Sequence, residues 1–204
     1  FAPLKSKNFL YQLCFKLLMA TTYYLSDEII ANSTKTKFDL ICNIPFTNRK
    51  TRVVPNPIRL PVQSPRDLEL HSWLQRSNVK IFIGIGRLVP LKDFETLLYA
   101  FHEVQKYYPH ARLMIIGEGP EENNLKKLCS NLDIQEKVLF LGFQDDVSIF
   151  LKNASAFCLC SKWEGFGNVI VEAGLSHCSI IVSECEGGVM EILHDSSYAK
   201  FFPV

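Results

Sequence analysis

The chain has 204 residues, of which 48% are hydrophobic and 21% are charged, enough for one complete core and part of a second. Its formal net charge is +1, so no long-range field favours nucleic acid and any anion site must be local. Seven cysteines without a CxxC spacing favour free thiols in a reducing cytosol over a metal site. No apolar run reaches transmembrane length, because Lys16 interrupts the longest one.

The first 78 residues are predicted to hold short elements and a linker. Leucines at helical spacing predict a helix over 4–26 that packs on its own domain, or alternatively lies on a membrane surface. Short strands are predicted over 28–31 and 51–54, separated by a helix over 34–43 that Asn32 and Ser33 can cap. Three prolines indicate a linker over 57–66, and a short helix around 66–76 follows.

From residue 79 onward, short apolar runs alternate with helical patterns. Strands are predicted over 80–85, 112–116, 138–141, 156–160, 179–182 and 199–202. Helices are predicted over 93–108, 121–131, 146–152, 168–177 and 189–194, the first of them capped by Asp93. Strands this apolar are covered on both faces, and right-handed crossovers then produce a parallel, doubly wound α/β sheet. Such a sheet binds its ligands at the carboxyl ends of its strands.

Two cations follow the first strand of this sheet. Gly86 lets the chain turn closely, and Arg87 and Lys92 then precede the start of a helix. A bidentate guanidinium, an ammonium group and a helix dipole together suit a diphosphate, whereas two solvated loop cations are the plainer alternative. The stretch lacks both the third glycine of a dinucleotide fingerprint and the Gly-Lys-Ser/Thr of a Walker loop.

Three further glycine-containing turns follow strands. The turn at 117–120 either borders a ligand or is a plain connection between a strand and a helix. Phe143, after Gly142, either covers a nucleotide base or is an ordinary rim residue. The Gly187-Gly188 pair either approaches a ligand or simply turns the chain.

The stretch 161–172 reads Ser-Lys-Trp-Glu-Gly-Phe-Gly-Asn-Val-Ile-Val-Glu and is the most informative part of the chain. Its two glycines flank Phe166 and expose backbone N–H groups just ahead of a helix, where an anion or a sugar hydroxyl would lie. Glu164 lies in the loop, and Glu172 lies one turn into the helix, so both carboxylates can face one crevice. A carboxylate near a helix N-terminus should be ionised and should accept well from sugar hydroxyls, although a surface salt-bridge pair is the alternative.

Taken in order and with this spacing, these residues resemble the GT-B retaining glycosyltransferases of family GT4. The hallmark of that family is two glutamates separated by seven residues, which Glu164 and Glu172 match, and Gly86, Arg87 and Lys92 match its diphosphate-binding segment. The resemblance covers nearly all of 27–204. It implies a remnant of an N-terminal acceptor-side Rossmann-like domain over 1–60, a linker and short helix over 61–78, and a C-terminal nucleotide-sugar-binding domain, truncated at its end, over 79–204.

The resemblance also implies roles for individual residues. Arg87 and Lys92 would neutralise the leaving nucleoside diphosphate, Glu164 would hold the donor sugar near its reacting centre, and Glu172 would bind the ribose. The catalytic set is then Glu164, Arg87 and Lys92. Sugar hydroxyls and phosphate would bind the backbone of Gly165, Phe166, Gly167, Asn168 and Val169, and Gly142 with Phe143 would form part of the base wall.

The implied activity is retaining transfer of a hexose or N-acetylhexosamine from a nucleotide sugar, expected to be a UDP-sugar, to a glycan or lipid-linked acceptor in cell-surface polysaccharide or lipopolysaccharide synthesis. No cofactor or metal is expected: the chain offers no Asp-x-Asp motif for Mg²⁺, and two cations can supply the same electrostatic stabilisation. The expected location is the cytoplasm, with peripheral contact at the cytoplasmic face of the membrane. Two alternatives stay open, a GT-B enzyme like glycogen or sucrose synthase and a nucleotide-sugar-binding fragment without catalysis.

Overall fold

The computed structural model describes residues 9–58, 72–74, 79–193, 197 and 199–204. The chain divides into two compact units, Phe1–Pro57 and Ile58–Val204. Most of the short helix predicted over 66–76 lies outside the described residues, and residues 72–74 form a turn. The predicted domain boundaries at residues 60 and 78 stay predictions.

The first unit combines two helices with a pair of short parallel strands. Its elements are α1 (Phe9–Leu25), β1 (Ile29–Ala31), α2 (Thr34–Asn43), a 3₁₀ turn (Pro45–Arg49) and β2 (Thr51–Val53). Ser33 caps α2 as predicted, because its Oγ accepts a hydrogen bond of 3.0 Å from the backbone N–H of Thr36. Among the described residues, no helix has the length and apolar character needed to cross a membrane.

The second unit alternates strands and helices. In chain order they are β3 (Ile81–Ile85), α3 (Phe94–Tyr107), β4 (Arg112–Ile116), α4 (Glu122–Asn131), β5 (Val138–Phe140), α5 (Ser148–Asn153), β6 (Ala156–Leu159), β7 (Trp163–Glu164), α6 (Asn168–Leu175), β8 (Ile180–Ser183), β9 (Glu186–Gly187), α7 (Val189–Leu193) and β10 (Ala199–Phe202). Two 3₁₀ turns, Pro90–Lys92 and Gln135–Lys137, precede α3 and β5.

Six of these strands form one sheet in which every pair is parallel, in the order β10-β8-β6-β3-β4-β5. Alternate side chains of β3 pack on opposite faces, since Ile81, Ile83 and Ile85 join the core with α6 and α7 while Phe82 contacts the core with α3. The sheet is therefore covered on both faces, and the predicted doubly wound α/β architecture is confirmed. Cys158 and Cys160 share one face, as their spacing predicts.

The structure differs from the predicted elements at two places near the sheet edge. Asp93 occupies the N-cap position of α3, but its backbone is left-handed (φ 47°) and its side chain makes no capping bond. Its carboxylate instead lies 3.4 Å from Lys162 Nζ, so the predicted side-chain cap is wrong. Glu164 lies in β7, which pairs with β9, rather than in a loop.

Candidate functional site

Arg87, Lys92 and Glu164 follow the two strands between which the sheet changes its winding direction. β3 and β6 are neighbours, but the chain leaves β3 toward β4 on one side and leaves β6 toward β8 on the other. The two connections diverge, and they open a crevice at the carboxyl ends of the two strands. The stretches that carry Arg87, Lys92 and Glu164 begin at those two strand ends.

A buried ion pair joins the two connections. The Lys92 ammonium donates to Glu164 Oε1, and the two side chains are only 22% and 10% exposed. The same carboxylate oxygen accepts a hydrogen bond of 2.7 Å from Ser161 Oγ. A buried charge pair is tolerated only with such additional hydrogen bonds, so these three side chains form one unit. The structure thereby brings together Lys92 and Glu164, which the sequence places 72 residues apart.

Arg87 supplies the uncompensated positive charge of this edge. Its side chain is exposed, and among the described residues it has no carboxylate partner. Because Glu164 already balances Lys92, the guanidinium is the group at this edge that most directly attracts an anion.

Gly86, predicted to let the chain turn closely, has φ 156°, a conformation that residues with a side chain rarely adopt, and Gly117 packs closely against it. A Cβ atom on Gly86 would meet only the Lys92 side chain, at an ordinary 3.6 Å, whereas one on Gly117 would overlap the carbonyl group of Gly86. The loops after β3, β4 and β5 are also joined by backbone bonds: Leu88 N–H donates to Glu118 O at 2.9 Å, and Gly117 N–H donates to Gly142 O at 2.8 Å. The turn at 117–120 thus supports the neighbouring loop.

The start of α6 carries backbone N–H groups that lack acceptors among the described residues. Gly167 occupies the N-cap position with φ 90°, and no side chain caps this helix. Within the described part of the chain, the N–H groups of Phe166 and Gly167 donate to no acceptor. Unpaired donors at a helix N-terminus favour an anion or a hydroxyl oxygen. Gly165, Asn168 and Val169 belong to the same segment, and their predicted contacts with the ligand stay predictions.

Glu172 is the fifth residue of α6 and is half-buried. Burial raises the pKa of its carboxyl group above the ordinary value, and the nearby charge of Asp146 raises that pKa further. Burial thus acts against the preference for the ionised form that a helix N-terminus favours. Gly174, two residues further along α6, has open space beside it, since an added Cβ would meet nothing within 4 Å.

Phe143 lies at the rim of the neighbouring loop, with 67% of its surface exposed. Gly142 before it adopts φ 67°, and the Phe143 N–H points toward Glu118 Oε1 at 3.4 Å. The ring is therefore available to a flat ligand, and the predicted role in a base wall stays a prediction.

Gly187 and Gly188, for which two roles were open, pack against the backbone of Glu164. Gly188 N–H donates to Glu164 O and to Gly165 O, each at 3.2 Å. A Cβ atom on Gly187 would overlap the Glu164 carbonyl group. This contact was missed from the sequence, where the only signal was the glycine pair itself.

The sequence of this chain is similar to those of known glycosyltransferases. The sequence profile of the family described as Glycosyl transferases group 1 matches residues 66–202. The chain is 32% identical over 195 residues to the uncharacterized glycosyltransferase MJ1059 of Methanocaldococcus jannaschii, covering 94% of this chain and 48% of that protein. It is 28% identical over 198 residues to the N-acetylgalactosamine-N,N'-diacetylbacillosaminyl-diphospho-undecaprenol 4-alpha-N-acetylgalactosaminyltransferase of Campylobacter jejuni, covering 97% and 52%.

Solved structures show the same fold. The complex of Anabaena Alr3699/HepE with UDP superposes with a TM-score of 0.80 at 22% identity, covering 98% of this chain and 56% of that one. WaaG, a glycosyltransferase involved in lipopolysaccharide biosynthesis, superposes with a TM-score of 0.78 at 16% identity, covering 98% and 57%.

The parallel sheet has the fold of these GT-B glycosyltransferases, which confirms the predicted fold class. The chain belongs to the glycosyl transferases group 1 family. It spans about half the length of the curated relatives it matches.

Proposed function

We propose that this chain forms the donor-binding part of a retaining glycosyltransferase of the GT4 type. The observation that carries the proposal is the pairing of Lys92 with Glu164 at the switch point of the sheet, beside the uncompensated Arg87. Transfer of a sugar from a nucleotide donor leaves a nucleoside diphosphate, and a site that stabilises this developing negative charge lowers the barrier.

In this proposal each group has one task. The Arg87 guanidinium binds two diphosphate oxygens, and the Lys92 ammonium, which donates to Glu164 through one of its three protons, keeps two for the phosphate. The N–H groups ahead of α6 bind phosphate or sugar hydroxyls. Glu164 and Glu172 accept from the hydroxyls of the sugar and the ribose, and Phe143 covers the base. The two cations take the place of a metal ion.

The donor in this proposal is a UDP-sugar carrying a hexose or N-acetylhexosamine. The proposal draws on similar proteins, since Alr3699/HepE was solved with UDP and with UDP-glucose and one relative from Escherichia coli is a UDP-Gal galactosyltransferase. The acceptor is a glycan or a lipid-linked sugar, because relatives are named for diphosphoundecaprenol-linked acceptors and for the lipopolysaccharide core. Such acceptors suit action at the cytoplasmic face of the membrane.

A second candidate is donor binding without transfer by this chain alone. It is favoured by one observation, that the chain spans about half the length of its curated relatives. Binding of UDP together with absence of transfer to any supplied acceptor is the result expected for this candidate, and turnover by the isolated chain would exclude it.

Calorimetric titration with UDP tests the proposed site. Arg87→Ala should weaken UDP binding by roughly 10–100-fold, the effect of losing a charge-assisted hydrogen bond of about 1.5–3 kcal/mol. Lys92→Ala alone would leave the Glu164 carboxylate buried and unpaired, so Lys92→Ala is combined with Glu164→Gln to remove both charges together.

Lys127→Ala is the control, because Lys127 is exposed on α4 and its loss should leave UDP affinity unchanged. Wild-type affinity in Arg87→Ala and in the double variant would show that the diphosphate binds elsewhere. GDP and ADP titrated in the same way would identify the preferred nucleotide.

A further inference from the structure

Two buried serine hydroxyl groups connect the end of β8 to the ion pair. Ser183 at the end of β8 is 1% exposed, Ser161 after β6 is 0% exposed, and Glu164 is 7% exposed. Their surroundings are apolar, since Cys158, Cys160 and Cys185 nearby are buried thiols. A buried hydroxyl is unfavourable unless it makes a hydrogen bond, so each of these groups needs a partner.

Two hydrogen bonds connect the serines to Glu164, and a third reaches Glu164 from Lys92. Ser183 Oγ donates to the Ser161 carbonyl oxygen at 2.7 Å. Ser161 Oγ donates to Glu164 Oε1 at 2.7 Å, and the Lys92 ammonium donates to the same oxygen. The serine bonds therefore connect the end of β8, through Ser161, to the carboxylate that Lys92 also binds.

The hydroxyl of Ser161 is not needed to hold the backbone of Glu164. That backbone is held independently, by the pairing of β7 with β9 and by the N–H of Gly188, which donates to Glu164 O at 3.2 Å. The Ser161 hydroxyl acts on the carboxylate instead. With two donors on Oε1, the carboxylate cannot rotate without losing a bond, and its second oxygen accepts from no described residue.

We infer that Ser161 and Ser183 are positioning residues of the donor site, which lock the Glu164 carboxylate so that it aims the Lys92 ammonium at the diphosphate. This inference rests on the proposed function. Its physical basis is preorganisation: a flexible lysine that is already held in one geometry loses less conformational entropy when it binds an anion.

Chemical acetylation of lysines, read by peptide mass spectrometry, tests the network without any ligand. Lys92 should react slowly in the native chain, because its ammonium is held in a largely buried ion pair. Ser161→Ala removes one of the two donors on Oε1 and should speed Lys92 acetylation about fivefold, the factor for a hydrogen bond of about 1 kcal/mol. Ser183→Ala should have a smaller effect in the same direction. The exposed Lys127 provides the internal reference rate in every sample.

Ser176→Ala is the matched control. Ser176 is also buried, at 7% exposure, but among the described residues its hydroxyl has no hydrogen-bond partner. Its removal should therefore change neither the Lys92 rate nor UDP affinity. Thermal unfolding of each variant establishes that it is folded.

UDP titration of the same variants completes the test. Ser161→Ala should weaken UDP binding about three- to tenfold although Ser161 touches no ligand in the proposed site. Unchanged Lys92 acetylation and unchanged UDP affinity in Ser161→Ala, with wild-type binding intact, would overturn the inference and leave the proposed function standing. Absence of UDP binding by the wild-type chain would overturn the proposed function, whereas the acetylation rates would still report on the network.

Discussion

Gly187→Ala is the substitution for which the structure makes the sharpest prediction. Gly187 lies in β9 directly against Glu164, and an added Cβ would lie 2.6 Å from the Glu164 carbonyl carbon and closer still to its oxygen. Real Cβ atoms essentially never approach within 3.0 Å. Both neighbours are backbone atoms, so no side-chain rotation can relieve the overlap.

Two costs add up. The backbone of Gly187 has φ 127°, a conformation that costs a side-chain-bearing residue about 1–3 kcal/mol. Separating the two strands adds about 1–3 kcal/mol of overpacking strain. We expect the free energy of unfolding to fall by about 2–6 kcal/mol and the Tm by about 5–20 °C. The Glu164 carboxylate moves with its backbone, and UDP affinity should fall about tenfold or more, since a displacement of about 1 Å in such a site is costly.

Differential scanning calorimetry and UDP titration measure both effects. Gly174→Ala is the matched control, because Gly174 lies in α6 and an added Cβ there meets nothing within 4 Å. That substitution should stabilise the protein by about 0.5–1 kcal/mol through helix propensity and leave UDP affinity unchanged. A Gly187→Ala variant with wild-type Tm and wild-type affinity would refute the argument that close backbone contact positions Glu164.

Two further predictions concern protonation and thiol reactivity. Burial raises the pKa of the Glu172 carboxyl group above its ordinary value of 4.5. The folded chain therefore holds this proton more tightly than the unfolded chain, and stability is lost as the pH rises through the folded-state pKa. Glu172→Gln should raise the Tm at pH 7 by an amount that shrinks toward pH 4.5, and an equal gain at both pH values would contradict this. Burial also raises the pKa of the Cys160 thiol to about 12, and of the seven cysteines only Cys14 and Cys42 are exposed. A disulfide reagent should therefore react quickly with two thiols in the native chain. A third fast-reacting thiol would argue against the described burial.

The main sheet was predictable because its strands are covered on both faces. A strand in that position reads as a short, continuous apolar run, and the strands predicted over 112–116 and 199–202 match β4 and β10 residue for residue. β7 and β9 were missed, since two residues each carry no pattern. The left-handed Asp93 was missed because a side chain that can cap a helix does not reveal its backbone conformation.

For the site, the sequence predicts that Lys92 and Glu164 each follow a strand of one parallel sheet, but not that their side chains bond. Strand order places the residues after β3 and β6 at one edge, so the proximity of Lys92 and Glu164 follows from the topology. The bond from Ser183 to Ser161 depends on side-chain rotamers and on the adjacency of β6 and β8, which no local pattern specifies. The direction of the Glu172 pKa shift depends on burial, which the helix pattern does not determine.

The backbone bonds between the loops after β3, β4 and β5 have a consequence for how this site can diversify. Because each loop is hydrogen-bonded to the next, inserting or deleting a residue in one of them disturbs its neighbours and, through them, the segment that carries Arg87 and Lys92. Side chains that project from the same loops, such as the exposed Phe143, are free of that constraint. Changes in ligand preference should therefore arise by substitution of side chains, while the lengths of these hydrogen-bonded loops stay the same.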